Sequence, residues 1–162
     1  MEPQTKNQVK EAMKGKTFNA ILDMGCGYGE VAPILKKHTG HLIGVDLDTS
    51  RALTSGYDVL YDEIVQEDIR TYQIPPTVDA VTIFDVVEHI PMPEGLALLN
   101  RIGPRFIVLT TPSKFFSGAL DGHVALWTEQ QLQQLGFKTN IYSTGVIKDR
   151  VYGKKIIAVR NQ

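Results

Sequence analysis

The run Ile21-Leu22-Asp23-Met24-Gly25-Cys26-Gly27-Tyr28-Gly29-Glu30 decides how this chain is read. An apolar strand ends in an acid, three glycines follow at alternate positions, and a helix start comes next. Glycine at 25, 27 and 29 lets the backbone turn without Cβ clashes and lets a ligand lie against main-chain N–H groups. At a first strand-to-helix turn, this marks a nucleotide-type cofactor site in a doubly wound sheet.

Outward from that turn, strands and helices alternate. A short helix is expected over about Thr5–Lys14, a buried strand over Asn19–Met24, and a helix carrying Val31, Ile34 and Leu35, with Pro33 in its first turn. Strands are expected at His41–Asp46, Asp62–Gln66, Val78–Phe84 and Arg105–Thr111, with a short helix at most over Thr49–Tyr57 and an apolar helix over Gly95–Ile102. Thr128-Glu129-Gln130-Gln131 reads as a capping box for a helix that Gly136 ends, and two closing strands follow near Lys138–Val146 and Lys154–Val159. The alternation predicts an α/β fold: a doubly wound, mostly parallel sheet with helices on both faces.

The chain has 162 residues, enough for one domain with a full core, so residues 1–162 are expected to form a single domain with 1–15 as an N-terminal helix or lid segment. A formal net charge of -1 supplies no basic field for nucleic acid. The single cysteine, Cys26, excludes an internal disulfide and fits a reducing compartment. No apolar run approaches the ~20 residues that span a bilayer, and the first residues are polar, so a cytoplasmic protein without a membrane partner is expected.

The glycine spacing discriminates between cofactors. A dinucleotide turn has its third glycine where this chain has Glu30, with Gly29 one residue early. A carboxylate at that helix start opposes a pyrophosphate and speaks against a nicotinamide oxidoreductase. Acids at three strand tips suit a phosphate-free, cationic ligand such as S-adenosyl-methionine (SAM). Asp23 can accept from its amino group, Asp46 from both ribose hydroxyls, and Asp68 from the adenine amine. Cys26 reads as a small packing residue rather than a nucleophile.

The segments Leu22–Gly29, Gly44-Val45-Asp46 and Glu67-Asp68-Ile69 resemble the first three motifs of the class I SAM-dependent methyltransferases. Phe84-Asp85-Val86-Val87-Glu88-His89-Ile90, with the later Gly136-Phe137, resembles the branch that carries an acidic–His pair after strand four. The resemblance covers nearly the whole chain. It implies a seven-stranded sheet of order 3-2-1-4-5-7-6 with the last strand antiparallel. The implied cofactor-binding residues are Asp23, Gly25, Cys26, Gly27, Gly29, Asp46, Leu47, Asp68, Ile69 and Asp85.

Methyl transfer from a sulfonium is an in-line displacement in which the protein mainly aligns the partners, with a base where the acceptor must lose a proton. His89, Glu88 and His123 are the candidates for catalysis. Asp85, Glu88 and His89 stand at i, i+3 and i+4, so a helical turn there would set them on one face. With His123 from the loop before the last helix they form a candidate divalent-metal set, Asp85, Glu88, His89 and His123. That quartet resembles the metal site of small-RNA 3′-terminal 2′-O-methyltransferases, although Asp85 stands for a glutamate there and Gly122 for an acid beside the distant histidine. Glu88 and His89 could equally cap and brace their loop.

Asp85-Val86-Val87-Glu88 occupies the place where amino-methylating nucleic-acid enzymes carry an Asn/Asp-Pro-Pro-aromatic motif, so methylation of base amines is disfavoured. Lys114 with Phe115 and Phe116 could meet an anionic acceptor, and Trp127 reads as a core anchor. The expected activity is O-methylation of a small molecule. The alternatives are a metal-assisted 2′-O-methyltransferase of an RNA terminus, or a non-catalytic SAM-binding subunit. Few residues remain to cover the acceptor, so a homodimer or a partner subunit is a candidate for closing that pocket.

Overall fold

The computed structural model describes residues 1–113, 122–144, 146–147, 150–151 and 153–161. Its helices are α1 (Pro3–Met13), α2 (Ala32–Leu35), α3 (Ser50–Ser55), α4 (Met92–Arg101) and α5 (Glu129–Gln134). The main strands are β1 (Phe18–Met24), β2 (Thr39–Asp46), β3 (Glu63–Gln66), β4 (Val78–Phe84), β5 (Phe106–Pro112), β6 (Lys138–Ser143) and β7 (Lys154–Arg160). A two-stranded ribbon pairs 146–147 with 150–151 between β6 and β7.

The sheet has the order β3-β2-β1-β4-β5-β7-β6. The first five strands in that order pair in parallel, and β7 runs antiparallel to both β5 and β6. This is the expected order and sense. Strand β1 lies inside the sheet between β2 and β4, and all of its residues from Ala20 to Met24 are buried, as a parallel strand covered on both faces requires.

Successive residues of β1 feed opposite layers of core. Ala20, Leu22 and Met24 pack with Leu98 and Leu99 of α4, Leu132 of α5 and Trp127. Ile21 packs on the other face with Val9 and Met13 of α1, Leu35 of α2 and Ala52 of α3. Trp127 is fully buried, and its indole N–H donates to the Val87 carbonyl at 3.1 Å, the anchor role expected of it. Gly95 makes room for it: a Cβ there would fall 2.7 Å from the indole ring.

Local chemistry accounts for the boundaries. The Thr128 hydroxyl accepts from the Gln131 N–H at 3.2 Å and the Gln131 side chain accepts from the Thr128 N–H at 2.9 Å, so the capping box forms. Helix α4 begins three residues earlier than the apolar pattern suggests, because Pro93 fits a first helical turn. Helix α2 is a single turn that tightens into a 3-10 turn at Lys36–His38. Lys114, Phe115 and Phe116, singled out in the sequence, lie outside the described residues.

Candidate active site

The strand tips β1, β2 and β4 open into a cavity of about 460 Å³. Nine of the ten expected cofactor residues line it: Asp23, Gly25, Cys26, Gly27, Asp46, Leu47, Asp68, Ile69 and Asp85. Gly29 does not line it. It is buried behind the turn, and a Cβ there would meet Tyr57 Cβ at 3.0 Å and the Tyr61 ring at 3.1 Å.

The three glycines therefore answer different demands, although all have positive φ. A Cβ on Gly25 would lie 2.3 Å from Val86 Cγ2, so its bareness lets two strand ends close together. Only Gly27 opens on space, with nothing nearer than the Gly25 carbonyl at 3.9 Å. The turn's amides are also committed. Gly25 and Cys26 donate to the Val45 carbonyl, Gly29 to the Cys26 carbonyl, and Gly27 to Asp46 Oδ2 at 2.8 Å. These N–H groups cannot cradle a phosphate, which agrees with the reading against a dinucleotide.

Asp23 is 1% exposed. Its two oxygens accept from the Tyr61 hydroxyl at 2.7 Å and the Thr82 hydroxyl at 2.8 Å. Burial outweighs those two bonds and pushes its carboxyl up to about 6. Thr82 is its direct neighbour in the β1–β4 register, whereas Tyr61 comes from the turn before β3. Asp46 accepts from Gly27 N–H on one oxygen and from Asp48 N–H on the other at 3.0 Å. Asp68 is occupied by Arg70, whose guanidinium meets both carboxylate oxygens and also reaches Glu94. Cys26 is buried, and burial with the neighbouring Asp23 and Asp46 charges drives its thiol upward, away from nucleophile chemistry.

Asp85 has φ +56, the one non-glycine residue with positive φ among those described. That conformation ends β4 before a helical turn can start, and the 3-10 turn spans only Val87–His89. Asp85 therefore stands outside the turn that carries Glu88 and His89, so the helical face expected for the three does not form, although all three line one cavity. Asp85 turns instead to Lys155 Nζ at 2.5 Å and accepts from the Thr110 hydroxyl at 3.1 Å.

Glu88, His89 and His123 do converge, with one ligand atom from each lying within 4.8 Å of the others. The two imidazole rings meet edge to face at 4.7 Å. Glu88 is 2% exposed, accepts from the Thr111 hydroxyl at 3.0 Å, and is pushed up to about 7 by burial and by the Asp85 charge. Its main-chain carbonyl accepts from the Val124 and Ala125 N–H groups, so Glu88 also braces the loop that carries His123.

A second cavity, of about 240 Å³, lies beside the first and shares Asp85 and His89 with it. Glu2, Glu88, His123, Lys154 and Lys155 also line it. Tyr61, Thr82, Thr111 and Lys155 are the site residues that sequence reasoning missed. The threonines were visible as polar residues inside apolar runs; nothing local marked Tyr61 or Lys155.

No helix among the described residues is long and apolar enough to cross a membrane. Comparison with known proteins gives one family match, to the methyltransferase domain over residues 22–102. A curated relative, the ubiquinone biosynthesis O-methyltransferase of Paraburkholderia xenovorans (strain LB400), is 34% identical over 91 residues, covering 52% of this chain and 38% of the relative. The chain thus spans well under half the length of that relative. Among solved structures, the small RNA methyltransferase HEN1 superposes with a TM-score of 0.73 at 16% identity, over 98% of this chain and 25% of that one. Magnesium protoporphyrin IX methyltransferase (ChlM) from Synechocystis PCC 6803, solved with bound SAH, gives 0.69 at 21% identity, over 98% and 82%. At those identities the structures speak for the fold alone. The family match supplies the rest: spanning β1 through α4 and the glycine turn, it places this chain in the methyltransferase domain family.

Proposed function

We propose that residues 1–162 act as one SAM-dependent methyltransferase domain that O-methylates a small molecule by in-line transfer. The carrying observation is the pair of cavities that meet at Asp85 and His89. One has the strand-tip acids for a donor; the other has a buried carboxyl and two histidines for an acceptor. The name of the Paraburkholderia relative supports the O-methyl reading, and the SAH in the ChlM structure supports the donor.

The first cavity fits SAM by its chemistry. The turn's committed amides offer no phosphate cradle, while Gly27 leaves room beside Asp46. Each Asp46 oxygen takes one backbone N–H and keeps a lone pair for a ribose hydroxyl. Leu47 and Ile69 offer apolar surface to the adenine, with Asp68 nearby although Arg70 holds it. Bound SAM supplies a methyl group already activated on a sulfonium. The chain's own residues then align the acceptor and take its proton, with Glu88, His89 and His123 at the acceptor side.

Calorimetry with SAM and with NAD, followed by labelled-SAM turnover on hydroxyl-bearing acceptors, tests this. SAM binding, weakened at least about tenfold (about 1.4 kcal/mol) in Asp46→Ala, is expected. Binding of NAD without SAM overturns it, and SAM binding without any turnover would make the chain a non-catalytic SAM-binding subunit. A homodimer or partner subunit over the acceptor cavity would show as a size change on adding acceptor. The single buried thiol of Cys26 supports a cytoplasmic location.

A metal-assisted 2′-O-methyltransferase of an RNA terminus is the second reading, favoured by the convergence of Glu88, His89 and His123. Those three side chains would hold a divalent ion, which would supply a charge that grips vicinal hydroxyls. Asp85 sits outside that cluster, on Lys155. Metal content of protein purified without chelator, lost in His123→Ala, is the expected result for this reading; no metal, or no loss, removes it.

A further inference from the structure

We propose that Lys155 is the anion anchor of the second cavity, and that Glu2 occupies it until an acceptor bearing a carboxylate displaces Glu2. The inference rests on the small-molecule reading above and narrows its substrate to a hydroxy-carboxylate. Lys155 Nζ lies 2.5 Å from Asp85 Oδ2 and 2.9 Å from Glu2 Oε2. Its side chain is only 12% exposed, whereas that of Glu2 is 41% exposed.

The two carboxylates differ in how firmly they are held. Asp85 ends β4, accepts from the Thr110 hydroxyl, and has its own N–H bonded to the Thr110 carbonyl. Glu2 is the residue before α1, and besides Lys155 its carboxylate meets the Thr5 hydroxyl at 3.1 Å and its own backbone N–H. Of the two it is the one that can leave.

Burial works against the Lys155 charge, and Asp85 with Glu2 outweighs it, holding the ammonium above its ordinary range. A cation this enclosed tolerates the loss of one partner poorly. An incoming carboxylate makes the exchange neutral in charge; an uncharged acceptor does not. The same cavity holds Glu88, His89 and His123, so a molecule anchored at Lys155 presents its hydroxyl to the proton-accepting side. Helix α1 then serves as a latch. Its Thr5 is pinned by the Tyr142 hydroxyl at 3.0 Å, while the Glu2 tip blocks the anchor.

The test uses the full chain saturated with SAM, and the probes 3,4-dihydroxybenzoate and its uncharged carboxamide, with binding by calorimetry and methylation by labelled SAM. The benzoate is expected to bind about tenfold tighter than the amide. Lys155→Gln is expected to erase that ratio. Glu2→Ala, which leaves Lys155 paired with Asp85, is expected to widen it several-fold. Equal binding of the two probes, no binding of either, or a ratio unmoved by Glu2→Ala overturns the anchor. If the benzoate binds with the expected dependence on Lys155 and Glu2 but neither probe is methylated, the anchor stands and the methyl-transfer reading is what fails.

Discussion

The Tyr61 hydroxyl donates to Asp23 Oδ2 at 2.7 Å in a wholly buried contact, tying the acid near the end of β1 to the turn before β3. The same ring fills the space beside Gly44 and Gly29, so one side chain braces both the acid and the glycine turn. Tyr61→Phe keeps the ring and removes the donor, leaving Asp23 with the Thr82 hydroxyl. A loss of about 1–3 kcal/mol is expected, the cost of under-satisfying a buried carboxyl. Urea unfolding at neutral pH measures it. An unchanged midpoint would mean that the bond contributes nothing.

Asp23 also sets a pH dependence. Its carboxyl is raised from 3.8 to about 6 in the folded protein. The folded state therefore keeps a proton that the unfolded chain releases. Asp23 contributes stability that is fully present below about pH 3.8 and is lost as pH rises through about 6. Asp23→Asn removes the titration. The difference in unfolding free energy between wild type and Asp23→Asn is expected to change across that window and to be flat above pH 7. A flat difference throughout would show that Asp23 titrates as an ordinary carboxyl.

Much of this architecture was legible in the chain. Val78–Phe84 emerged as a strand with the bounds read from its apolar run, and the Thr128–Gln131 box formed as written. Local chemistry decides such elements, and local chemistry is what a sequence displays. The site was legible in outline only. A glycine announces that a Cβ would be unwelcome without saying what it would strike: a Cβ at Gly25 would strike Val86, one at Gly29 would strike tyrosines, and only one at Gly27 would stand in open space. The turn at Asp85 depends on a backbone conformation that no spacing rule foretells, and it removed Asp85 from the expected cluster. Lys155 reaches Asp85 across 70 residues and Tyr61 reaches Asp23 across 38, separations that only the sheet order closes.

The closeness of Gly25 to Val86 gives a test of that division of labour. A methyl at position 25 would sit 2.3 Å from Val86 Cγ2, on a backbone already at φ +74. Gly25→Ala is expected to destabilise by about 2–4 kcal/mol, combining left-handed strain with overpacking. Val86→Ala in the same chain relieves the clash and leaves the strain. The double-mutant cycle is expected to show a favourable coupling of about 1–2 kcal/mol. Additivity of the two substitutions would place the Gly25 requirement in the backbone alone.

Under the proposed function, Glu88 is expected to set the pH dependence of turnover. It is buried beside Thr111 and the Asp85 charge, with its carboxyl raised from 4.5 to about 7. A base that receives the acceptor proton works only when ionised, so with Glu88 in that proposed role kcat/KM is expected to rise with pH and level off above about 7. Glu88→Gln keeps the volume and the bond from Thr111 but cannot take a proton. That variant is expected to lose about 100-fold or more in kcat with SAM affinity unchanged, because Glu88 lines the second cavity and not the first. A Glu88→Gln profile that keeps both the wild-type rate and its rise near pH 7 would move the proton transfer from Glu88 to His89 or His123.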